Sequence, residues 1–123
     1  MKVLVVEDDS DQLALRCMLL RRAGFNPLQA KTVESALELA KNERPSCAVV
    51  DLRLPTESRG LNLIRELREG DAGMKLIVLT GAQKQWFSER PESKMVDDVF
   101  TKPVASSALI EKLRAASESV RCG

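Results

Sequence analysis

The chain has 123 residues, which suffices for one domain of ordinary size and leaves no room for a second. Hydrophobic residues at 44% and charged residues at 30% exclude a disordered, collagen-like or coiled-coil chain. Nineteen Lys and Arg residues against eighteen Asp and Glu residues give a formal charge of +1, without the basic excess typical of nucleic-acid-binding modules. We therefore expect a single domain over residues 1–123 and no direct nucleic-acid partner.

Short runs of strand-forming residues recur along the chain, each about one βα unit from the next. They predict five strands, at residues 2–6, 27–30, 47–50, 75–79 and 98–101. The first and fourth runs are apolar without the alternation of a half-exposed strand. Continuous apolar strands are typical of a parallel sheet covered by helices on both faces.

The clearest helical pattern covers residues 10–23. Three apolar residues of this segment share one helix face: Leu13, Cys17 and Leu20. Ser10 is suited to cap the start of the helix, and Gly24 is suited to end it. The pattern therefore predicts an amphipathic first helix that packs onto the sheet.

Weaker helical patterns fill the other intervals between strands. They predict helices that begin after Thr32, end near Gly70 and begin at Ser106. Pro91 would interrupt a helix placed across residues 83–96, because proline lacks the backbone N–H and its ring clashes with the preceding turn. We expect one short helix or two broken pieces there.

These elements predict an α/β fold. Five strands joined by right-handed helical crossovers form a flavodoxin-like, doubly wound parallel sheet with strand order 2-1-3-4-5 and helices on both faces. Ligands of such sheets bind at the carboxyl ends of the strands, where the strand order reverses. We therefore expect a site at the ends of the first and third strands.

The sequence contains no long apolar segment. The longest apolar runs are far shorter than the roughly 20 residues that cross a bilayer, and a strand-like run begins at Lys2, so we expect no signal peptide, no membrane partner and a cytoplasmic location.

The sequence has no His, and its three Cys residues form no C-x-x-C pair, which argues against zinc and a disulfide framework. Chemistry here must use carboxylates, hydroxyls, lysines or a hard metal.

Polar residues directly follow four of the predicted strands: Glu7, Asp8, Asp9, Asp51, Thr80 and Lys102. Each alone has an ordinary explanation, such as a helix cap, a turn or a solvated charge. Together, three or four carboxylates in one crevice repel each other unless a cation joins them. Their oxygen ligands suit Mg²⁺, or Mn²⁺ as a substitute, and not zinc.

A phosphoryl group beside that metal would explain the remaining residues. Lys102 and the Thr80 hydroxyl are suited to bind its oxygens. Asp51 is then the nucleophile, because a carboxylate attacks phosphorus without a general base and forms an aspartyl phosphate. This chemistry fits a chain without His.

Four motifs carry a family resemblance: Val5-Val6-Glu7-Asp8-Asp9, Val49-Val50-Asp51-Leu52-Arg53-Leu54-Pro55, Leu79-Thr80-Gly81 and Thr101-Lys102-Pro103. Over its whole length the sequence resembles the receiver domain of bacterial two-component response regulators. The resemblance implies that Asp51 accepts phosphate from a histidine kinase or phosphotransfer protein, and that Thr80 and Lys102 bind the phosphoryl oxygens. It also implies a Mg²⁺ site made by Glu7, Asp8, Asp51 and the Arg53 backbone carbonyl, with Asp9 helping to begin the first helix.

The resemblance also implies how the domain acts. Such a domain is a phosphoacceptor with autodephosphorylation rather than an enzyme, and it switches conformation to control a partner or output domain in a phosphorelay. A phosphorylation-dependent homodimer is left open. The main alternative is a pseudo-receiver, an interaction module that takes no phosphate; the complete set of acids, Thr80 and Lys102 argues against it.

Other protein classes on a similar sheet need motifs that this chain lacks. A flavin carrier needs a hydroxyl- and Gly-rich loop after the first strand, and a dinucleotide-binding fold needs G-x-G-x-x-G. A haloacid-dehalogenase-type phosphatase would have a second Asp two residues after the nucleophile, where Arg53 stands. These alternatives are therefore weak.

The sequence departs from the family pattern on the side of the last two strands. Val99 occupies the usual position of a switch aromatic, and strand alternation places Phe100 on the opposite face. Residues 55–60 form a loop one residue longer than usual in the family. We expect residues 81–96 to transmit any conformational change, and in this segment Trp86 and Phe87 either pack onto the sheet or dock a partner.

Overall fold

The computed structural model describes residues 1–52, 57–81, 84–102 and 105–122. Within them, five parallel strands form one sheet in the order β2-β1-β3-β4-β5. The strands are β1 (Lys2–Val6), β2 (Asn26–Ala30), β3 (Cys47–Asp51), β4 (Lys75–Thr80) and β5 (Asp98–Thr101). The predicted α/β class and strand order are confirmed.

The helices alternate with the strands as predicted, and the last helix follows β5. They are α1 (Ser10–Arg22), α2 (Val33–Glu43), α3 (Glu57–Gly70), α4 (Lys84–Ser88) and α5 (Ser106–Cys122), with a 3₁₀ helix at Pro91–Met95. The segment before β5 therefore forms two broken pieces, and Pro91 begins the second, where its missing N–H costs nothing. No helix in the described ranges is long and apolar enough to cross a membrane.

The sheet has a hydrophobic core on each face. Leu4, Val6 and their neighbours pack against α2, α3 and α4, whereas Val3 and Val5 pack against α1 and α5. Every residue of β1 after Lys2 and every residue of β3 is buried, which explains why these strands read as continuous apolar runs. β1 and β3 are thus covered on both faces, and they hold the residues at their carboxyl ends in place.

One predicted cap is wrong. The N-cap of α1 is Asp9 rather than Ser10, because Asp9 Oδ1 accepts hydrogen bonds from the backbone N–H groups of Asp11 and Gln12, both at 3.0 Å. A carboxylate in this position also interacts favourably with the helix dipole. Gly24 follows the C-cap with φ +96°, as the predicted helix end requires. Asp9 therefore helps to begin the first helix, as expected.

A close backbone contact holds the start of α3 against the end of β3. A Cβ atom at Gly60 would lie 1.8 Å from the Leu52 carbonyl oxygen and 2.7 Å from its carbonyl carbon. Only glycine permits this approach. The contact fixes the backbone one residue beyond Asp51. The predicted longer loop at residues 55–60 lies partly outside the described residues, and α3 has already begun at residue 57.

The side chains of β5 and α4 pack onto the two faces of the sheet. Val99 packs against the core beneath α2 and α3, and Phe100 packs against the core beneath α1 and α5, so the two lie on opposite faces as predicted. Phe87 is 1% exposed and belongs to the core itself. Trp86 is partly buried against the same core, with the Arg90 guanidinium 5.0 Å from its ring centroid. Phe87 therefore packs onto the sheet, and Trp86 does so in part, while a docking role of Trp86 stays a prediction.

Candidate functional site

The predicted acidic residues meet at the carboxyl ends of the two central strands. Glu7 and Asp8 follow β1 directly, and Asp51 is the last residue of β3. β1 lies between β2 and β3, so this is the point where the strand order reverses. The Glu7 N–H donates to the Ala30 carbonyl at 3.0 Å, which holds the chain as it leaves β1.

The three carboxylates form one cluster. Glu7, Asp8 and Asp51 each place an oxygen within 4.8 Å of the others. Glu7 is 1% exposed and Asp51 4% exposed, whereas Asp8 is exposed, so the cluster opens to solvent on one side. Asp9 instead caps α1, and Arg53, whose carbonyl was a predicted fourth metal ligand, lies outside the described residues.

The chemistry of this cluster fits a hard divalent cation. Its ligands are all carboxylate oxygens, which Mg²⁺ prefers. Glu7 Oε1 is moreover a buried acceptor without a hydrogen-bond partner among the described residues. Ion pairs at 3.5 Å or more satisfy a buried carboxylate oxygen only in part, so a directly bound cation would still be favourable there. The residues present therefore suit Mg²⁺ or Mn²⁺.

The pKa of Glu7 is raised from 4.5 to about 7, and burial is the largest cause. A hydrogen bond with Asp51 and the negative charge of Asp51 also contribute to this rise, whereas the charges of Lys102 and Arg16 oppose it. A carboxyl group with this pKa is only partly ionised at neutral pH. A bound cation would favour the ionised form, since it opposes both causes of the shift.

Lys102 reaches the same cluster from the end of β5. Its Nζ lies 2.5 Å from Asp51 Oδ2 and 3.9 Å from Glu7 Oε1. Lys102 is only partly buried, while Asp51 is almost fully buried. The ammonium group therefore stabilises negative charge on Asp51 at the position predicted for phosphoryl recognition.

Thr80 is the last residue of β4 and is fully buried. It follows Leu79, which pairs with Asp51 across the sheet. Its hydroxyl donates to the Gly81 carbonyl at 3.4 Å, a long and therefore weak hydrogen bond. The Lys102 N–H donates to the Thr80 carbonyl at 2.6 Å, so the ends of β4 and β5 are tied together.

The strands extend further than their apolar runs predict. Asp51 and Thr80 were predicted to follow their strands, but both are strand residues. Pairing explains the difference: Asp51 pairs with Leu79, and Thr80 pairs with Thr101. The two side chains are thus held by the sheet rather than by a loop.

Arg16 is the residue that sequence reasoning missed. Its Nη1 lies 3.5 Å from Glu7 Oε1, and its side chain is 17% exposed. Arg16 is three residues after Leu13 and four before Leu20, both buried on the core side of α1. A charged residue at that spacing from buried neighbours is the signal that could have marked it.

A family model described as the response regulator receiver domain matches residues 3–114. The chain belongs to this family. The match covers β1 from Val3 onward, all of β3 and every predicted site residue, including Arg53. It does not favour the pseudo-receiver, flavin-carrier, dinucleotide-binding or phosphatase alternatives.

Curated relatives and solved structures agree with the family. The chain is 33% identical over 115 residues to the probable transcriptional regulatory protein TcrX of Mycobacterium tuberculosis, covering 92% of this chain and 48% of that protein. It is 27% identical to the alkaline phosphatase synthesis transcriptional regulatory protein PhoP of Bacillus subtilis, covering 93% and 47%. The chain thus spans about half the length of these relatives.

A solved receiver domain has nearly the same fold. It is the CheY-like response regulator receiver domain protein of Methanospirillum hungatei, with a TM-score of 0.85 and 28% identity. The alignment covers 99% of this chain and 98% of that one. The similarity therefore extends over the whole receiver fold and not over a single motif.

Proposed function

We propose that this receiver domain accepts a phosphoryl group on Asp51 from a histidine kinase or phosphotransfer protein, in a Mg²⁺-dependent reaction. The observation that carries the proposal is the cluster of three carboxylates within 4.8 Å, with the Lys102 ammonium 2.5 Å from Asp51. Packing alone does not explain why mutually repelling carboxylates and a paired lysine lie together at the carboxyl ends of the strands.

Asp51 acts as the nucleophile. One of its carboxylate oxygens forms a bond to phosphorus while the bond from phosphorus to the donor imidazole nitrogen breaks, and the donor keeps that electron pair. No general base is needed, because an ionised carboxylate carries no proton to lose. Mg²⁺ held by Glu7, Asp8, Asp51 and the Arg53 carbonyl would supply positive charge for the phosphoryl oxygens.

Lys102 and Thr80 bind the transferred group. Lys102 exchanges its contact with Asp51 for one with a phosphoryl oxygen, since phosphorylation removes the negative charge on the Asp51 carboxylate and adds charge next to it. Thr80 exchanges its weak bond to the Gly81 carbonyl for a charge-assisted one. The movement of Thr80 then begins the conformational switch.

The switch controls a downstream protein or output domain, with loss of phosphate from Asp51 returning the domain to its resting state. Two relatives are named as transcriptional regulatory proteins, which makes a transcription output one candidate. The single-domain organisation, the cytoplasmic location and a phosphorylation-dependent homodimer stay predictions.

Intact mass after treatment with acetyl phosphate and Mg²⁺ tests the proposal. We expect one phosphoryl adduct in the wild type and none in Asp51→Asn. Asp9→Asn is the matched control: Asn also caps helices, so this variant should fold and keep the adduct. A full adduct in Asp51→Asn would contradict the assignment, and a folded wild type without any adduct would favour the pseudo-receiver.

A further inference from the structure

Arg16, on α1, is a second cation beside the acidic cluster, in addition to Lys102. Its Nη1 lies 3.5 Å from Glu7 Oε1, and the two side chains are 17% and 1% exposed. Both atoms are buried and lack a hydrogen-bond partner among the described residues. The contact is therefore a charge interaction in a partly desolvated place, where solvent screens it less than at the surface.

The helix holds this cation in position. Arg16 belongs to the second turn of α1, on the side of Leu13 and Leu20, which are buried against the sheet. Its limited exposure leaves the guanidinium little freedom to leave the site. Lys102 differs, because its side chain is 30% exposed and it already pairs with Asp51.

Arg16 changes the charge that an incoming cation meets. With every group ionised, the three carboxylates and Lys102 carry a charge of −2, and Arg16 reduces this to −1. Arg16 also occupies the surroundings of Glu7 Oε1, one of the oxygens that a metal would use. Both effects oppose binding of a second positive group, because attraction and repulsion scale with charge over distance.

We propose that Arg16 lowers the affinity of the Glu7, Asp8 and Asp51 cluster for divalent cations, so that the site fills only at higher Mg²⁺ concentrations than the acids alone would require. This inference rests on the proposed function, since it assumes that the cluster binds Mg²⁺. Arg16 acts here as a competing cation, not as a ligand of the metal or of the phosphoryl group.

Isothermal titration with Mg²⁺ at fixed ionic strength tests the inference. Arg16→Gln should lower the Kd about tenfold, because it removes one like charge from beside the metal. Arg22→Gln is the matched control: Arg22 is an exposed residue near the end of the same helix, and its loss changes the net charge equally. This control should change the Kd by less than about twofold, since solvent screens the charge.

Two further measurements make the result specific. Arg16→Lys keeps the positive charge and should return the Kd toward the wild-type value. At a fixed Mg²⁺ concentration, the metal-induced rise in Tm should be larger in Arg16→Gln than in the wild type, because tighter binding stabilises the folded state more. If Arg16→Gln fails to fold, Arg16→Met, which keeps an apolar stem, is measured instead.

An unchanged Kd in a folded Arg16→Gln or Arg16→Met variant would overturn the inference alone. A higher Kd would also overturn it, by showing that Arg16 holds Glu7 ready for the metal. A folded wild type that binds neither Mg²⁺ nor Mn²⁺ would overturn both the inference and the Mg²⁺ dependence of the proposed function.

Discussion

The strands end at one edge of the sheet, and the two halves of this edge are held in different ways. The half that carries Glu7 and Asp51 rests on β1 and β3, whose residues are buried apart from Lys2, and on the backbone contact between Gly60 and Leu52. The half beyond β4 contains β5, whose residues are partly buried or exposed, and α4, a helix of only five residues. A helix this short has little stability of its own, so its position depends on tertiary contacts.

Phe87 packs α4 onto the core, whereas the polar contacts with α3 lie at the far end of the segment before β5. Arg68 of α3 donates from Nε and Nη2 to the Met95 carbonyl, at 2.8 and 2.6 Å. Arg65, one turn earlier, pairs with the buried Glu92 at 3.2 Å. The 3₁₀ helix is thus anchored to α3, and we expect movement to be confined to the residues between Thr80 and Glu92. This narrows the predicted segment of residues 81–96.

The largest expected effect tests the rigid half. Gly60→Ala should lower the free energy of unfolding by about 4 kcal/mol, because its Cβ would lie 1.8 Å from a backbone oxygen that cannot move independently. Urea denaturation measures the loss. Gly70→Ala is the control: nothing lies within 4 Å of its Cβ position, and alanine favours a helix, so stability should hold or rise. Equal stability of the two variants would show that α3 shifts freely relative to β3.

The second effect is a pH dependence of the free energy of unfolding, which arises from Glu7 in the same half of the edge. Glu7 has a pKa of about 7 in the folded, metal-free protein and 4.5 as its ordinary value. The folded state therefore binds more protons between these values, and the free energy of unfolding should fall as pH rises from about 4.5 to 7, by up to about 3 kcal/mol. Glu7→Gln should remove this component when chemical denaturation is compared at pH 5 and pH 7. An identical slope in Glu7→Gln would place the titrating group elsewhere.

The third effect tests the anchor of the other half. Arg68 also donates to the carbonyls of Ala72 and Met74, each at 2.8 Å. Arg68→Met should therefore lower the free energy of unfolding by about 2 kcal/mol, since several backbone acceptors lose a charged donor. In Arg68→Met, the increase in hydrogen exchange relative to the wild type should be larger at the 3₁₀ helix than at β1. Arg22→Met, on an exposed position, should change neither measurement.

The sequence predicts the site better than it predicts what supports the site. Parallel strands place all their carboxyl ends at one edge, so residues that follow apolar runs are expected together, whatever the exact strand limits. The contacts of Arg16, Gly60 and Arg68 escape prediction because each joins elements through a particular separation and angle. Periodicity assigns a residue to a face of its own helix, but it does not say which side chain of another element lies opposite.

The smallest expected effect is spectroscopic and tests whether the movement expected after Thr80 reaches α4. Trp86 is the single tryptophan, lies between Thr80 and Glu92, and is partly buried against the core. If Thr80 moves toward a phosphoryl group, α4 should shift and the environment of Trp86 should change. Its fluorescence should therefore respond to beryllofluoride with Mg²⁺, and the response should vanish in Thr80→Ala.

A second probe distinguishes local movement from movement of the whole segment. Lys94 is an exposed residue of the anchored 3₁₀ helix, so a Trp86→Phe, Lys94→Trp variant reports on the far side of the anchor. We expect this variant to bind beryllofluoride with little change in fluorescence, because Arg68 and Arg65 hold that end to α3. A response at position 94 as large as that at Trp86 would show that the anchor releases. The movement would then extend over all of residues 81–96, the segment that the sequence alone predicts.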